Sequence, residues 1–173
     1  MGTIAVVGIE TLDSKNFIEL MHCFRDALND HKANLNSLNV YPVPDGDTGS
    51  NMAATLNSVV TEIQSLGEDP ELESVIGAVS HGSLMGARGN SGVIISQILR
   101  GFVSEIKRSG SGEEIDVPLF SKALSAASTA AYEAVGNPVE GTILTVVRET
   151  AEVVKSHAEE DSNLLSVVQA GRD

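Results

Sequence analysis

Apolar side chains recur at steps of three and four residues along most of the chain, which is the period of an amphipathic α-helix. The first stripe, over residues 14–31, predicts a helix with Asp13 or Ser14 as its N-cap. Its apolar positions are Phe17, Leu20, Met21, Phe24, Ala27 and Leu28. Further stripes predict helices over residues 52–66, 94–106, 118–134 and 143–154, a less clearly patterned helix over 71–85, and the beginning of a last helix over 164–169.

Alternation of apolar and polar residues, which is typical of a strand, is confined to residues 3–7, and this stretch is too short to form a sheet. Gly67, the polar run 109–112 and the turn at 136–138 separate the helical stripes. The pattern therefore predicts an all-α bundle of roughly seven helices with short links.

Composition narrows the classes of partner. The 173 residues suit one domain, and the formal net charge of −13 would repel nucleic acid and anionic membranes, so neither is expected as a partner. The same charge would repel ATP unless a metal ion and backbone dipoles reverse the field locally. The single cysteine excludes an internal disulfide, and we find no secretory signal or membrane-spanning segment. These features predict a cytoplasmic protein without membrane insertion.

The stretch NVYPVPDGDTGSN, residues 39–51, differs from the helical stripes and carries candidate chemistry. Asp45 and Asp47 lie two residues apart, and a hard divalent cation such as Mg²⁺ would allow both carboxylates to stay ionised. A helix is expected to begin close behind them, within residues 49–52, with amides and a dipole that favour phosphate. The alternative interpretation is an Asx-capped turn that needs no ligand.

The stretch HGSLMGARGNSG, residues 81–92, is rich in glycine and also carries Arg88. If residues 86–92 form a loop before the next helix, their amides could surround an anion. If they are helical, the glycines at three- and four-residue steps let two helices pack closely. Both interpretations stay open on the sequence alone.

Other chemical candidates are weaker. Cys23 is expected in the core, on the apolar face of the first helix, and His81 is expected to make a structural hydrogen bond. The chain has no P-loop, protein-kinase or Rossmann signature, so any nucleotide must be held through metal and backbone amides. No nucleophile–base set presents itself, and no catalytic residue is assigned.

Three stretches occur in a characteristic order, namely LNVYPVPDGDTGSNM, HGSLMGARGNSG and NPVEGTILTVVRE. Together they resemble the nucleotide-binding L domain of the dihydroxyacetone kinases, and more closely the N-terminal domain of bacterial fatty acid kinase. The likeness spans residues 16–172. It implies an antiparallel helical barrel of about seven to eight helices with ATP and Mg²⁺ at one open end. Residues 1–12 are then an N-terminal extension, and residues 13–173 are the ATP-binding domain, truncated at its C-terminus relative to the family.

The resemblance also implies the site residues. Asp45 and Asp47 match two of the three metal-binding aspartates of the dihydroxyacetone type, whereas the first falls near Asn39, and Thr48 stands where that type has a histidine. The matching implies phosphate contacts for Thr48, Gly49, Ser50, Asn51, Asn90 and Ser91, and nucleoside contacts for Glu140, Gly141 and Thr142. Arg88, Gly89 and Gly92 of the glycine-rich stretch complete the expected nucleotide-binding set. Without the family, the last three residues indicate only a helix start, with Thr142 as cap and Glu140 beside the dipole.

The departures at Asn39 and Thr48 match the fatty acid kinase type. The implied reaction is Mg²⁺- and ATP-dependent transfer of the γ-phosphoryl group to a fatty-acid carboxylate that an acyl-binding partner protein presents, a step of phospholipid metabolism. A carboxylate is already a nucleophile, so no general base is needed. The alternatives are a dihydroxyacetone (glycerone) kinase subunit, a nucleotide-binding regulatory module without turnover, and a purely structural bundle. Relatives continue beyond Arg172, and a homodimer could form through those further domains.

Overall fold

The computed structural model describes residues 10–40, 43–110 and 114–172. Within these ranges the chain forms seven α-helices and two short β-strands. In chain order they are β1 (Thr11–Leu12), α1 (Ser14–Ser37), α2 (Thr48–Gln64), α3 (Leu72–Gly86), α4 (Gly89–Ser109), β2 (Ile115–Asp116), α5 (Val117–Glu133), α6 (Ile143–Ala158) and α7 (Leu164–Arg172). The predicted all-α class is confirmed. None of these helices is long and apolar enough to cross a membrane.

The starts of α1, α5 and α6 are among those fixed by side-chain caps. The carboxylates of Asp13 and Asp116 each accept a hydrogen bond from the backbone amide three residues on, at 2.7 and 2.9 Å. The Thr142 hydroxyl accepts from the Leu144 amide at 3.3 Å. Each cap satisfies an amide that has no acceptor inside its own helix, which explains why the chain becomes helical at these points. The predicted caps at Asp13 and Thr142 are confirmed.

The two strands form a feature that the sequence did not predict. They pair antiparallel, with Thr11 opposite Asp116 and Leu12 opposite Ile115. Each strand has only two residues, so neither leaves a readable alternation in the sequence. The pair joins the segment before α1 to the segment before α5. The strand candidate at residues 3–7 lies outside the described residues.

Helices α1 and α2 run antiparallel. Asn29, near the middle of α1, hydrogen-bonds Asn57 of α2 at 3.3 Å, and Asn36, near the C-terminal end of α1, hydrogen-bonds Ser50 near the N-terminal end of α2 at 3.0 Å. The end of α1 and the start of α2 therefore lie at the same end of the bundle, and the ten-residue link connects them there.

Helices α2 and α3 approach each other closely because glycine stands at the contact. A Cβ built on Gly82 would lie 2.9 Å from the Val59 Cα and 3.0 Å from the Ser58 carbonyl oxygen, and one on Gly86 would overlap the Ser58 side chain. Nearby, His81 hydrogen-bonds Glu62 at 3.0 Å, as its structural interpretation predicted. For Gly82 and Gly86, the close-packing interpretation of the glycine-rich stretch is therefore correct.

The core contains side chains from all seven helices and both strands, mostly Ala, Val, Leu and Ile. Its few aromatic rings touch in series. Phe17 stacks on Phe102 with centroids 6.2 Å apart, and Phe102 meets Phe120 edge-on at 5.4 Å. Such pairs add roughly 1 kcal/mol each beyond the area they bury. They join α1, α4 and α5 near the end of the bundle at which β1 and β2 pair, since Phe17 and Phe120 lie in the first turns of their helices.

The buried face of α1 is narrower than the sequence stripe. Phe17, Met21 and Leu28 are buried, but Leu20 is 38% exposed and Cys23 is exposed. At about 100° per residue, Cys23 lies roughly 120° around the helix from Phe17, beyond the face that α2 covers. The prediction that Cys23 is a core residue is therefore wrong, and Ala27 also faces solvent.

Candidate functional site

The two loops singled out in the sequence meet in the structure, because the first turns of α2 and α4 touch. The Ser91 hydroxyl donates to the Thr48 carbonyl oxygen at 3.3 Å. A Cβ built on Gly89 would overlap the Asn51 side-chain nitrogen and lie 2.9 Å from its Cγ. Two helix N-termini, each with unpaired amides and the positive end of a dipole, therefore lie side by side.

The second loop is shorter than predicted. Only Ala87 and Arg88 separate α3 from α4, so Asn90, Ser91 and Gly92 belong to the first turn of a helix rather than to a loop. Gly89 opens that helix at φ +57°, a conformation that favours glycine. The amides expected in the loop are still present, now ordered as a helix N-terminus.

Arg88 does not point into this junction. Its Nη1 donates to the carbonyl oxygens of Ala87 at 2.9 Å and Met85 at 3.4 Å, at the C-terminal end of α3. A cation there interacts favourably with the negative end of that helix dipole. In this arrangement the guanidinium stabilises the α3–α4 turn, and a phosphate contact would require it to rotate.

Asp45 and Asp47 precede α2 with exposed side chains. Asp47 occupies the N-cap position of α2, yet its carboxylate makes no capping hydrogen bond. The capped-turn interpretation is therefore wrong for Asp47, and this carboxylate is open to another ligand. Asn39 Nδ2 donates to Asp45 Oδ1 at 2.5 Å, which orients one carboxylate and leaves the Asn39 Oδ1 as a further oxygen donor.

The amides at the start of α2 are not all open. The helical ladder begins with the Asn51 amide, which donates to the Asp47 carbonyl at 2.9 Å. The Ser50 amide donates to Asn36 Oδ1 of α1 at 3.1 Å. Among the described residues, the Thr48 and Gly49 amides have no acceptor at this helix start. In α4 the ladder begins with Gly92, which donates to the Arg88 carbonyl at 2.9 Å, and the Gly89, Asn90 and Ser91 amides have no acceptor within the same described ranges.

Glu140 lies in the link between α5 and α6, inside a dense hydrogen-bond network. Its carboxylate accepts from the Thr145 hydroxyl at 2.7 Å, the Tyr132 hydroxyl at 2.9 Å and Arg148 Nη2 at 3.1 Å. These donors, with Thr145 the largest contributor, hold the pKa of Glu140 below its ordinary value of 4.5. The Gly141 amide also donates to Thr145, at 2.7 Å. Glu140 is therefore anionic and well oriented, and it ties the α5–α6 link to α6.

The third motif joins the other two through α4. Leu144 and Val147 of α6 form a small buried cluster with Ala131 of α5, and Ile94 and Ile98 of α4 pack against it. Ile94 lies about one turn beyond the Asn90–Ser91 pair. The first two motifs are thus in contact, whereas the third is connected to them through this apolar cluster.

A conventional metal cluster is absent from the described ranges. No group of three or more His, Cys, Asp or Glu side chains within them could hold an ion. Mg²⁺ differs from most protein-bound metals, since one or two carboxylates with water and substrate phosphates are its usual ligands. The exposed pair Asp45 and Asp47, with the Asn39 amide beside it, fits that kind of site.

Sequence reasoning missed two sets of residues. Asn36, which holds the Ser50 amide, falls beyond the predicted end of α1 and gave no signal. Thr145 and Arg148 follow Glu140 by five and eight residues and lie three apart on one helix face, a spacing that could have identified them.

Fold and site together define a class of protein: a helical domain that presents two helix N-termini and a pair of carboxylates at one junction. The model of the DAK2 domain matches residues 42–172, so the chain belongs to the DAK2 domain family, which is that of the dihydroxyacetone kinases. The expected kinase-related, nucleotide-binding type of domain is thereby supported.

Relatives of known sequence are much longer. Protein YloV of Bacillus subtilis is 41% identical over 164 residues, which is 95% of this chain and 29% of the relative. Uncharacterized protein SSP1546 of Staphylococcus saprophyticus is 40% identical over 164 residues, covering 92% of this chain and 28% of the relative. The chain thus spans under a third of their length, and neither name states an activity.

Proposed function

We propose that this domain binds ATP with Mg²⁺ and transfers the γ-phosphoryl group to a fatty-acid carboxylate that an acyl-binding partner protein presents. The observation that carries the proposal is the contact between the N-termini of α2 and α4, beside the two exposed aspartates Asp45 and Asp47. Asp47 stands at the N-cap position of α2, but its carboxylate makes no capping hydrogen bond. Membership of the DAK2 family supports the nucleotide part of the proposal.

The phosphates would bind at the open amides. Each helix N-terminus is equivalent to roughly half a positive charge, so two such ends can offset part of a triphosphate's charge. In α2 the donors would be Thr48 and Gly49 through their amides, with the Ser50 hydroxyl and the Asn51 side chain nearby. In α4 the Gly89, Asn90 and Ser91 amides would contribute, and the small Gly92 would keep the turn close to Thr55. Such local dipoles are needed because the formal net charge of the whole chain is −13, which would otherwise repel the triphosphate.

The metal would be held by Asp45 and Asp47, with the Asn39 amide oxygen as a third protein ligand. When bound, Mg²⁺ would neutralise charge on the triphosphate. The Asn39–Asp45 hydrogen bond at 2.5 Å orients the first carboxylate before any ion arrives. The nucleoside would lie toward Glu140, Gly141 and Thr142, at the helix start that follows α5.

The fatty-acid carboxylate is the proposed acceptor because it needs no base. One of its oxygens would attack the γ-phosphorus while the bond to the bridging oxygen of ADP breaks, giving an acyl phosphate and ADP. The proposed site contains amides, hydroxyls and metal-binding carboxylates but no free histidine, and His81 is engaged with Glu62. Dihydroxyacetone would instead require a partner residue to deprotonate its hydroxyl.

The resemblance to the family carries the rest of the proposal. We assign residues 13–173 to the nucleotide-binding domain, with a separate acyl-binding protein as the partner and with any homodimer forming through the further domains of the full-length protein. A protein that uses ATP in this way would act in the cytoplasm, in phospholipid metabolism.

Calorimetric titration with ATP tests the site, with and without Mg²⁺. Asp47→Asn should weaken Mg²⁺-dependent binding by roughly tenfold or more, the effect of losing one charged ligand. Without Mg²⁺ the same variant should bind ATP no worse than wild type, because a repelling charge has been removed. Asp30→Asn, which removes an equal charge from the exposed face of α1, should change neither affinity.

Equal Mg²⁺-dependent affinities for wild type, Asp45→Asn and Asp47→Asn would refute the metal site. The acceptor is tested separately, by following ADP release from the full-length protein with either a fatty acid bound to its carrier protein or dihydroxyacetone. Turnover only with dihydroxyacetone would refute the acyl acceptor, and binding without turnover on either would favour a regulatory module.

A further inference from the structure

The side chain of Asn36, in the last turn of α1, makes two hydrogen bonds to Ser50. Asn36 Oδ1 accepts from the Ser50 backbone amide at 3.1 Å, and Asn36 Nδ2 donates to the Ser50 hydroxyl oxygen at 3.0 Å. The backbone carbonyl of Asn36 also accepts from the Asn39 amide at 3.3 Å, at the start of the α1–α2 link that carries Asp45 and Asp47. Asn36 therefore connects the end of α1, this link and the first turn of α2.

The direction of both hydrogen bonds is fixed by chemistry. A backbone N–H can only donate, so the oxygen of the Asn36 amide must face the Ser50 nitrogen. The NH₂ group of Asn36 then faces the Ser50 hydroxyl, and because NH₂ can only donate, the hydroxyl oxygen must accept. The single proton of the Ser50 hydroxyl is consequently directed away from Asn36.

The position of this turn is also fixed by packing. A Cβ built on Gly49 would overlap the Lys32 carbonyl oxygen and lie 2.9 Å from the Leu35 Cβ, so α1 and α2 are in close contact one residue before Ser50. The Ser50 side chain is half-buried, and it has little freedom to choose another partner.

We infer that Asn36 is a positioning residue that presents the Ser50 hydroxyl, rather than the Ser50 amide, as a hydrogen-bond donor to a phosphate oxygen of the nucleotide. This inference rests on the proposed function, since it assigns a role within the same phosphate site. The Ser50 amide is already occupied, and the hydroxyl proton is the donor that remains.

Asn36→Asp separates this role from a structural one. The carboxylate can still accept from the Ser50 amide, and its charge is favourable beside the N-terminus of α2 but unfavourable at the C-terminal end of α1, so the two dipole effects oppose each other and thermal unfolding should occur close to the wild-type temperature. The carboxylate cannot donate, however, so the Ser50 hydroxyl would turn its proton toward residue 36. Loss of a hydrogen bond to charged phosphate should then weaken Mg²⁺–ATP binding by roughly ten- to a hundredfold.

Two controls remove the effect of the added charge. Asn34→Asp places the same charge in the same last turn of α1, at an exposed position, and should change ATP affinity by less than about twofold at high salt. In a Ser50→Ala background, Asn36→Asp should cost far less than in wild type, since the hydroxyl through which it acts is gone.

The inference is overturned if Asn36→Asp and Asn34→Asp bind Mg²⁺–ATP equally well, or if the penalty of Asn36→Asp is unchanged in the Ser50→Ala background. Failure of the proposed function would look different. In that case wild type and Asn34→Asp would themselves show no Mg²⁺-dependent binding.

Discussion

Replacing Gly82 with alanine should force α2 and α3 apart. The added Cβ would lie 2.9 Å from the Val59 Cα, 3.0 Å from the Glu62 Cβ and 3.0 Å from the Ser58 carbonyl oxygen. Two of these are backbone atoms, which cannot rotate aside as the end of a long side chain can. Relief therefore requires the two helices to shift as units.

The magnitude follows from two opposing terms. Alanine is favoured over glycine inside a helix by about 1 kcal/mol. Overpacking a close contact costs roughly 1–3 kcal/mol, and the backbone contacts here place Gly82→Ala toward the upper end. The net loss should be about 1–2 kcal/mol, which for a domain of this size lowers the melting temperature by roughly 2–8 °C.

Gly77 provides the matched control, because it lies in the same helix with nothing within 4 Å of its added Cβ. Gly77→Ala should therefore show the propensity term alone and stabilise by roughly 0.5–1 kcal/mol. Thermal and urea unfolding followed by circular dichroism would measure both variants. If Gly82→Ala were as stable as Gly77→Ala, the close contact between α2 and α3 would be refuted.

Two further predictions concern the site. Gly89→Ala and Gly110→Ala both place alanine at positive φ, near +60°, and each should lose roughly 1 kcal/mol in urea unfolding. Only Gly89→Ala also displaces Asn51, so it alone should weaken Mg²⁺–ATP binding in titration calorimetry, and equal binding by both variants would contradict the junction. The lowered pKa of Glu140 implies stability that is present above the ordinary value of 4.5 and is lost as the pH falls through the lowered value. Glu140→Gln should thus have a lower free energy of unfolding than wild type at pH 7, and this difference should disappear in acid. Glu19→Gln, on the exposed face of α1, is the control and should show no such pH-dependent difference. A difference for Glu140→Gln that does not change with pH would refute the reasoning.

Helix positions were predictable because the apolar period is a local property of the sequence. The stripes at residues 52–66 and 143–154 correspond to α2 and α6, and the capping residues Asp13 and Thr142 were readable for the same reason. Helix ends were predicted less well. Polar residues extend α1 to Ser37, and glycines with low helix propensity concealed the start of α4.

Contacts between helices were not predictable, because they depend on how distant turns pack. The sequence identified Asp45 and Asp47 as a possible ligand pair, but the open carboxylate of Asp47 became visible only once its missing cap was seen. The hydrogen bonds between Asn36 and Ser50 join residues 14 positions apart on two different helices. No residue spacing in the sequence predicts such a contact. The metal, phosphate and nucleoside contacts remain predictions.

The exposed position of Cys23 has a practical consequence. It is the one thiol of the chain, and it lies on the solvent side of α1, in the same helix as Asn36. A maleimide dye or spin label would therefore attach at a single known residue without disturbing the packing of the core. Such a probe could report whether nucleotide shifts α1 against α2. The same thiol could crosslink two molecules in air, so oligomeric state should be measured with reductant present.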